Sequence, residues 1–320
     1  MRIAVLDAPQ RFRFEDRPVP TIGDGQALVR VAACGVCTSE LHMWDGTTGG
    51  RGLPRAIGHE VSGVVERVGS AADGLRAGDR VAVWVTEGGF AEHVAVDAAA
   101  CFPTGDVPLE QALGEPLACA VNAVELAGVA LGDDVVVIGA GFMGNLVQKL
   151  VQLRGPRHVI VADTRPDALE RAARLGATRT VLVGHEPLPE VVAELTGGRG
   201  ADVSFEATGV QAALTALGEV TRMSGTVVIV GYHQGGERTI PLAAWNWMAF
   251  TIVNAHFREV PTILRGMRTG MRLLASDRLE LGDLLTHRFP LADIDRAFRA
   301  SHEKPPGFCK ATVVVDGALA

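Results

Sequence analysis

The chain reads as an α/β protein in two parts, a β-rich stretch followed by a doubly wound parallel sheet. Over roughly the first hundred residues, short apolar runs are broken by Gly, Asp or Pro, as strands and turns require. From Asp133 onward, strands alternate with helices, which implies parallel strands joined by crossover helices. At the head of that second part, Gly139-Ala140-Gly141-Phe142-Met143-Gly144 stands between an apolar strand and a helix.

In chain order, the strand-like runs of the first part are ALVRVAACGV (27–36), EVSGVVERVG (60–69) and DRVAVWV (79–85). The second part opens with VVVIG (135–139), a helix near 142–154, HVIVAD (158–163) and a helix over PDALERAARLG (166–176). TRTVLVG (178–184), ADVSFEATG (201–209), a helix near 210–222, GTVVIVG (225–231) and FTIVNA (250–255) follow. Beyond His256 come an Arg- and Leu-rich helix and a last strand, KATVVVDG (310–317), read as returning to the first domain. The expected domains are therefore 1–118, 119–256 and a C-terminal return over 257–320.

Composition narrows the function. The 320 residues are 48% hydrophobic and 21% charged, ample for two ordinary cores. The formal charge is −7 and no basic run occurs, so a nucleic-acid partner is not expected. The N-terminal apolar stretch is cut short by Asp7 and Pro9, and no long uninterrupted apolar run follows, so neither export nor a membrane span is expected. The five cysteines are odd in number and irregularly spaced, which suits a reducing, cytoplasmic setting rather than a disulfide framework.

The glycine turn is the first candidate site. Gly139 permits the tight turn, Gly141 lets the backbone approach a pyrophosphate, and Gly144 lets helix and strand close together. Phe142 and Met143 open the helix, whose free N–H groups suit an anion. Asp163, at the end of the next strand, would bond the adenosine ribose hydroxyls and repel a 2′-phosphate. Arg165, two residues on, could instead pair with that phosphate. The direct repulsion favours NAD over NADP.

The runs Gly35-Val36-Cys37-Thr38-Ser39-Glu40-Leu41-His42 and Gly58-His59-Glu60-Val61-Ser62-Gly63 carry a resemblance. Gly78-Asp79-Arg80-Val81, Gly89-Phe90-Ala91-Glu92-His93 and Glu115-Pro116-Leu117 extend it. Together with the glycine turn, they resemble the zinc-dependent alcohol dehydrogenases of the medium-chain dehydrogenase/reductase superfamily, in the family's order and over nearly the whole chain. The resemblance implies a Rossmann sheet beside a β-rich GroES-like catalytic domain. It also implies one catalytic zinc on Cys37, His59 and Glu115, with Glu60 a neighbouring carboxylate that can exchange onto the metal. A catalytic zinc takes three protein ligands and keeps one position open, where it acidifies a bound hydroxyl. Glu115 before Pro116 could equally be a helix-start carboxylate, and Cys119 lies one turn later. Ser39 and His42 resemble the family's proton relay. No closely spaced cysteine quartet interrupts Val83–Phe90, so the structural-zinc lobe of many members is not expected.

His42-Met43-Trp44 and Phe257-Arg258 resemble pocket segments of the sorbitol-type polyol dehydrogenases, where the arginine meets substrate hydroxyls remote from the metal. Trp44 would then wall the apolar side of the substrate. Glu259 replaces that subfamily's tyrosine, which leaves a polyol, sugar or cyclitol open, and Arg258 could instead pair with Glu259. The strand near Phe250–Ala255 should form an open sheet edge, closed by a second copy in a homodimer or homotetramer. The competing readings are a zinc-free quinone or enoyl reductase of the same superfamily and a non-catalytic dinucleotide-binding protein.

Overall fold

The computed structural model describes residues 1–47, 49 and 52–319. They form two compact units, one of residues 1–118 and 260–320, the other of residues 119–259.

In the first unit, β1 (Arg2–Ala8) and β2 (Arg11–Asp16) make an antiparallel hairpin. The other strands before the crossover are β3 (Gln26–Gly35), β4 (Glu60–Val68), β5 (Arg80–Trp84), β6 (His93–Asp97) and β7 (Cys101–Pro103). A short helix, α1 (Thr38–Trp44), follows β3, and α2 (Gly114–Ala127) leads out of the unit. α1 departs from the strands and turns expected of this part. Glu40, Leu41 and Met43 are good helix formers, and Leu41 and Trp44 share a face and bury it.

The second unit runs β8 (Asp134–Ile138), α3 (Phe142–Gln152), β9 (His158–Asp163), α4 (Pro166–Arg174), β10 (Arg179–Leu182) and α5 (Leu188–Thr196). It continues with β11 (Ala201–Glu206), α6 (Gln211–Val220), β12 (Thr221–Ile229), α7 (Leu242–Trp247) and β13 (Thr251–Asn254). The sheet order is β10-β9-β8-β11-β12-β13, parallel throughout, with the strand direction of winding reversing between β8 and β11. β8 is buried along its whole length, which is why it is a nearly unbroken valine run. β12 begins at Thr221, earlier than the hydrophobic pattern suggests, because a register shift against β11 absorbs residues 222–225.

The chain returns to the first unit with α8 (Val260–Ala275), β14 (His287–Pro290), α9 (Ile294–Glu303) and β15 (Ala311–Val314). β15 pairs antiparallel with β3, setting Thr312 opposite Gly35, in the order β14-β15-β3-β4-β5-β7. β3 is thereby flanked by β4 and β15, and the far end of the chain reaches the segment that carries Cys37. Among the described residues, no helix is long and apolar enough to cross a membrane.

Candidate functional site

In the first unit, the end of β3, the start of β4 and the start of β15 converge. Gly35 lies opposite both Glu60 on β4 and Thr312 on β15. The chain leaves β3, turns at Cys37 and enters α1, while His59 immediately precedes β4. The Cys37 sulfur, a His59 ring nitrogen and a Glu60 carboxylate oxygen all lie within 4.8 Å of one another. Two glycines make this possible. Gly58 has φ +112°, and a Cβ there would lie 2.6 Å from the Phe90 nitrogen; at Gly35 a Cβ would lie 2.0 Å from a Glu60 oxygen.

A second carboxylate, Glu40, organises the group from α1. It is almost wholly buried and accepts from the Gly58 N–H at 2.7 Å and the Cys37 N–H at 3.2 Å. Its Oε1 also lies 2.8 Å from His59 Nδ1. A carboxylate can only accept, so Nδ1 carries the proton and Nε2 is left as the electron-pair donor. Burial alone disfavours a charged His59 ring. The Glu40 carboxylate and the Cys37 sulfur outweigh it and hold the imidazole well above its usual range. The additional proton of the charged ring sits on Nε2, and a cation arriving here would displace it while Nδ1 keeps its own on Glu40.

Glu60 has a partner of its own. Lys310, at the head of β15, places Nζ 2.7 Å and 2.6 Å from the two Glu60 oxygens and donates to the Val36 carbonyl at 2.8 Å. Burial pulls the ammonium down, but Glu60 and Cys37 outweigh it, so the lysine is held above its ordinary range and stays charged. Sequence reasoning missed Glu40 and Lys310. Glu40 carried a faint signal as an acid three residues into a helix start, and Lys310 as a lone cation heading an apolar strand.

Ser39 donates its hydroxyl to the Cys37 sulfur at 3.2 Å, and His42 follows three residues later on the same face of α1. The His42 ring is 3.8 Å from Asp45, which His302 approaches at 3.9 Å. Glu115 lies in the first turn of α2, half-buried, outside the group formed by Cys37, His59 and Glu60. Trp44 is 2% exposed and belongs to the apolar core, its ring centroid 6.2 Å from Phe298 and 5.8 Å from His302. One face of the ring thus packs against α9.

In the second unit, the glycine turn joins β8 to α3. Gly139 has φ +106°, and a Cβ on Gly144 would lie 1.7 Å from the Gly139 carbonyl oxygen. A Cβ on Gly141 would meet nothing within 4 Å, so the backbone there faces open space. No side chain caps the N-terminus of α3, where Phe142 is buried and Met143 half-buried. Asp163 ends β9 and uses both oxygens locally, accepting the Ala140 N–H at 2.7 Å and the Arg165 N–H at 2.8 Å. It therefore braces the glycine turn. The Arg165 guanidinium lies 4.0 Å from Asp163 and 3.8 Å from Asp167. Asn145, another residue missed from sequence, donates to the Ala140 and Gly141 carbonyls at 2.7 Å and 2.8 Å. Arg258 is exposed and donates to the Phe257 carbonyl at 3.2 Å.

Known proteins match this arrangement along most of the chain. Residues 23–108 match the family model of the alcohol dehydrogenase GroES-like domain, and residues 143–268 that of the zinc-binding dehydrogenases. The sorbitol dehydrogenase of Gallus gallus is 33% identical, over 91% of this chain and 90% of its own. The fold is similar to that of the alcohol dehydrogenase TADH from Thermus sp. ATN1, with a TM-score of 0.87 and 27% identity over 99% of this chain and 100% of that one. It is also similar to a protein from Sinorhizobium meliloti 1021 described as a zinc-binding dehydrogenase and bound to NADP. That match has a TM-score of 0.86 and 25% identity over 98% of this chain and 99% of the other. With both family models matched in order and a relative this similar over nine-tenths of its length, the chain belongs to the zinc-dependent alcohol dehydrogenases of the medium-chain dehydrogenase/reductase superfamily.

Proposed function

We propose that the protein is a zinc- and NAD-dependent dehydrogenase that interconverts a secondary alcohol of polyol, sugar or cyclitol type and its ketone. The observation that carries this is the donor group of Cys37, His59 and a buried carboxylate, with His59 held by Glu40 so that Nε2 is left to a ligand. Thiolate, imidazole and carboxylate are the ligand types that suit zinc. Cys37 and His59 are the two fixed ligands. Glu115 is the third expected of the family, and Glu60 the carboxylate that can take its place. Zinc held there would supply the acidity that a substrate hydroxyl needs, and a bound nicotinamide would supply the acceptor for the hydride.

The chain's own residues handle the proton and the positioning. Ser39 lies beside Cys37, so its hydroxyl can receive the substrate proton, and His42, one turn along α1, can pass it to water. Gly139, Gly141 and Gly144 with the bare N-terminus of α3 suit a pyrophosphate, and Phe142 and Met143 begin the helix that presents those N–H groups. Asp163 suits a ribose with free hydroxyls. Arg165 faces two carboxylates, Asp163 and Asp167, which supports NAD over NADP. Arg258 is a guanidinium available to the hydroxyls of a polyol. The open edge at β13, with Ile252 46% and the nearby Trp247 79% exposed, supports a homodimer or a tetramer of dimers.

Elemental analysis together with nicotinamide absorbance over a panel of polyols, cyclitols and simple secondary alcohols tests this reading. About one zinc per chain and NAD-linked oxidation of a polyol are expected. A chain that retains no zinc and reduces neither NAD nor NADP would sink it. Metal content of Glu115→Gln and Glu60→Gln identifies the third ligand. For the dinucleotide, Asp163→Gly should narrow or reverse the preference for NAD, and a wild-type preference for NADP would show that Arg165 outweighs the aspartate. Sedimentation that finds only monomer at micromolar concentration would remove the assembly.

A further inference from the structure

Glu206 ends β11 and its carboxylate is fully buried. One oxygen accepts the Thr208 N–H at 2.6 Å, the Thr208 hydroxyl and the Gly209 N–H at 2.8 Å. The other lies 2.8 Å from His233 Nε2, in the segment after β12. His233 Nδ1 is 3.2 Å from Arg238 Nε. A guanidinium can only donate, so Nδ1 is the acceptor, and Nε2 of a neutral ring carries the proton given to Glu206. The remaining Arg238 donors go to carbonyls: Gln234 at 2.8 Å, Glu237 at 3.2 Å, Gly236 at 3.3 Å and Gly209 at 3.4 Å. A buried carboxylate is thus tied through one imidazole to a guanidinium that gathers the 231–238 loop.

The same residues join that loop to the rest of the cofactor end of the sheet. The Glu206 carbonyl accepts from both the Val230 and Gly231 N–H groups at 2.8 Å. A Cβ on Gly231 would lie 2.2 Å from the Gly209 nitrogen and 2.4 Å from a Glu206 oxygen, so the two loops touch backbone to backbone. A Cβ on Gly139 would lie 2.7 Å from the Thr208 side chain, which sets the glycine turn against the loop after β11. Ligands of doubly wound sheets lie outside the carboxyl ends of the strands at the point where the winding reverses, here between β8 and β11. With the adenosine ribose at Asp163 on the β9 side, the nicotinamide half falls toward β11 and β12, where Glu206, His233 and Arg238 lie.

We propose that Arg238, His233 and Glu206 form a latch that positions the 231–238 loop to receive the nicotinamide half of the dinucleotide. They are positioning residues. A relay with every hydrogen-bonding atom answered holds a glycine-rich loop in one conformation before the ligand arrives, which lowers the ordering cost of binding. This inference rests on the chain's binding a dinucleotide.

The test measures the Kd of NADH by fluorescence and of ADP by calorimetry, on wild type, His233→Ala, His233→Gln and Arg238→Ala, with thermal unfolding as the control for folding. His233→Ala and Arg238→Ala should weaken NADH roughly tenfold and leave ADP, which reports the adenosine half alone, unchanged. His233→Gln should recover most of the loss, because its amide can donate to Glu206 and accept from Arg238. Unchanged NADH affinity in Arg238→Ala, equal losses of NADH and ADP, or no recovery in His233→Gln would each overturn the latch while leaving the cofactor reading intact. A wild-type chain that binds neither NADH nor NADPH would overturn both. Should His233→Ala fail to fold, Arg238→Ala and His233→Gln carry the same comparison.

Discussion

The two units each bury a dense cluster of charge, and the clusters differ in what they leave over. In the first, Glu40 and Lys310 hold His59 and Glu60, and the Cys37 sulfur, a His59 ring nitrogen and a Glu60 oxygen remain close together. In the second, the buried Asp134 is held by Arg157, by His158 at 2.9 Å and by Arg199 at 3.0 Å. Beside it, Asp202 accepts from Arg199 at 2.6 Å, Arg222 at 2.6 Å and the Asp134 N–H at 2.8 Å. This network sits at the amino ends of β8, β9, β11 and β12, opposite the end that carries the glycine turn. Its charges answer one another and converge on no common point. Perturbed pKa values mark both clusters. What separates a reactive site from a structural clamp is donor capacity left unspent toward one place.

The largest test of that contrast removes a proposed ligand. Cys37→Ser should lose the metal and lower kcat by roughly a thousandfold or more, because the chemistry depends on the charge the ligands gather. Folding should survive, since Cys37 lies at the margin of a core built from β3, β4, β5 and α9. Metal analysis, turnover and circular dichroism measured together check this. Unfolding of the variant would make the site structural.

Lys310→Met is next. It leaves Glu60 buried without its cation, and breaking such a pair on one side costs about 3–5 kcal/mol. Urea unfolding should detect the loss, and the double variant Lys310→Met/Glu60→Gln should recover much of it. A single variant as stable as wild type would mean that Lys310 is not what offsets the burial of Glu60.

Asp202→Asn probes the clamp. Burial alone would raise the Asp202 carboxyl, but hydrogen bonds from Arg199, the Asp134 N–H and Arg222 outweigh it and hold the group well below the usual carboxylate range. A depressed folded-state pKa contributes stability in full above the unfolded value near ~4 and loses it as pH falls further. The variant should therefore be about 1–2 kcal/mol less stable at neutral pH, a modest figure because the arginines are partly exposed and screened. The deficit should shrink below about pH 4, and kcat/KM should not change. A deficit independent of pH, or a loss of turnover, would contradict the assignment of this cluster to structure alone.

These contrasts follow what could be read before the fold was known. The alternation of strand and helix after Asp133 and the glycine turn were legible because their periodicities are local. Cys37, His59 and Asp163 were legible because short motifs surround them. Glu40 and Lys310 were not, since their meaning lies in contacts: Glu40 with a residue 19 positions away, Lys310 with one 250 positions away. The clamp of Asp134 and Asp202 escaped for the same reason, its three arginines, Arg157, Arg199 and Arg222, lying at the starts of three different strands. The packing of Trp44 was not legible either, since the surface it buries against comes from Phe298 and His302 of α9, more than 250 positions later.

Arg258 carries the contrast to its limit. In the Asp134 network each guanidinium meets a carboxylate, whereas Arg258 donates to the neighbouring carbonyl of Phe257 and makes no ion pair among the described residues. A guanidinium has five N–H donors, so most of this one's capacity is unspent. A polyol offers several hydroxyl acceptors, and a simple secondary alcohol has none beyond the hydroxyl that reacts. Hydrogen bonds to a charged group contribute about 1.5–3 kcal/mol when formed away from water and less at an exposed side chain, so Arg258→Ala should lower polyol kcat/KM roughly tenfold. The same variant should leave a simple secondary alcohol within about twofold of wild type, because truncating an exposed side chain that holds no other element in place changes stability little. Initial rates on both substrates, with unfolding measured alongside, decide it. Equal losses on the two substrates would make Arg258 a structural residue, and no loss on either would place the polyol's remote hydroxyls against other donors.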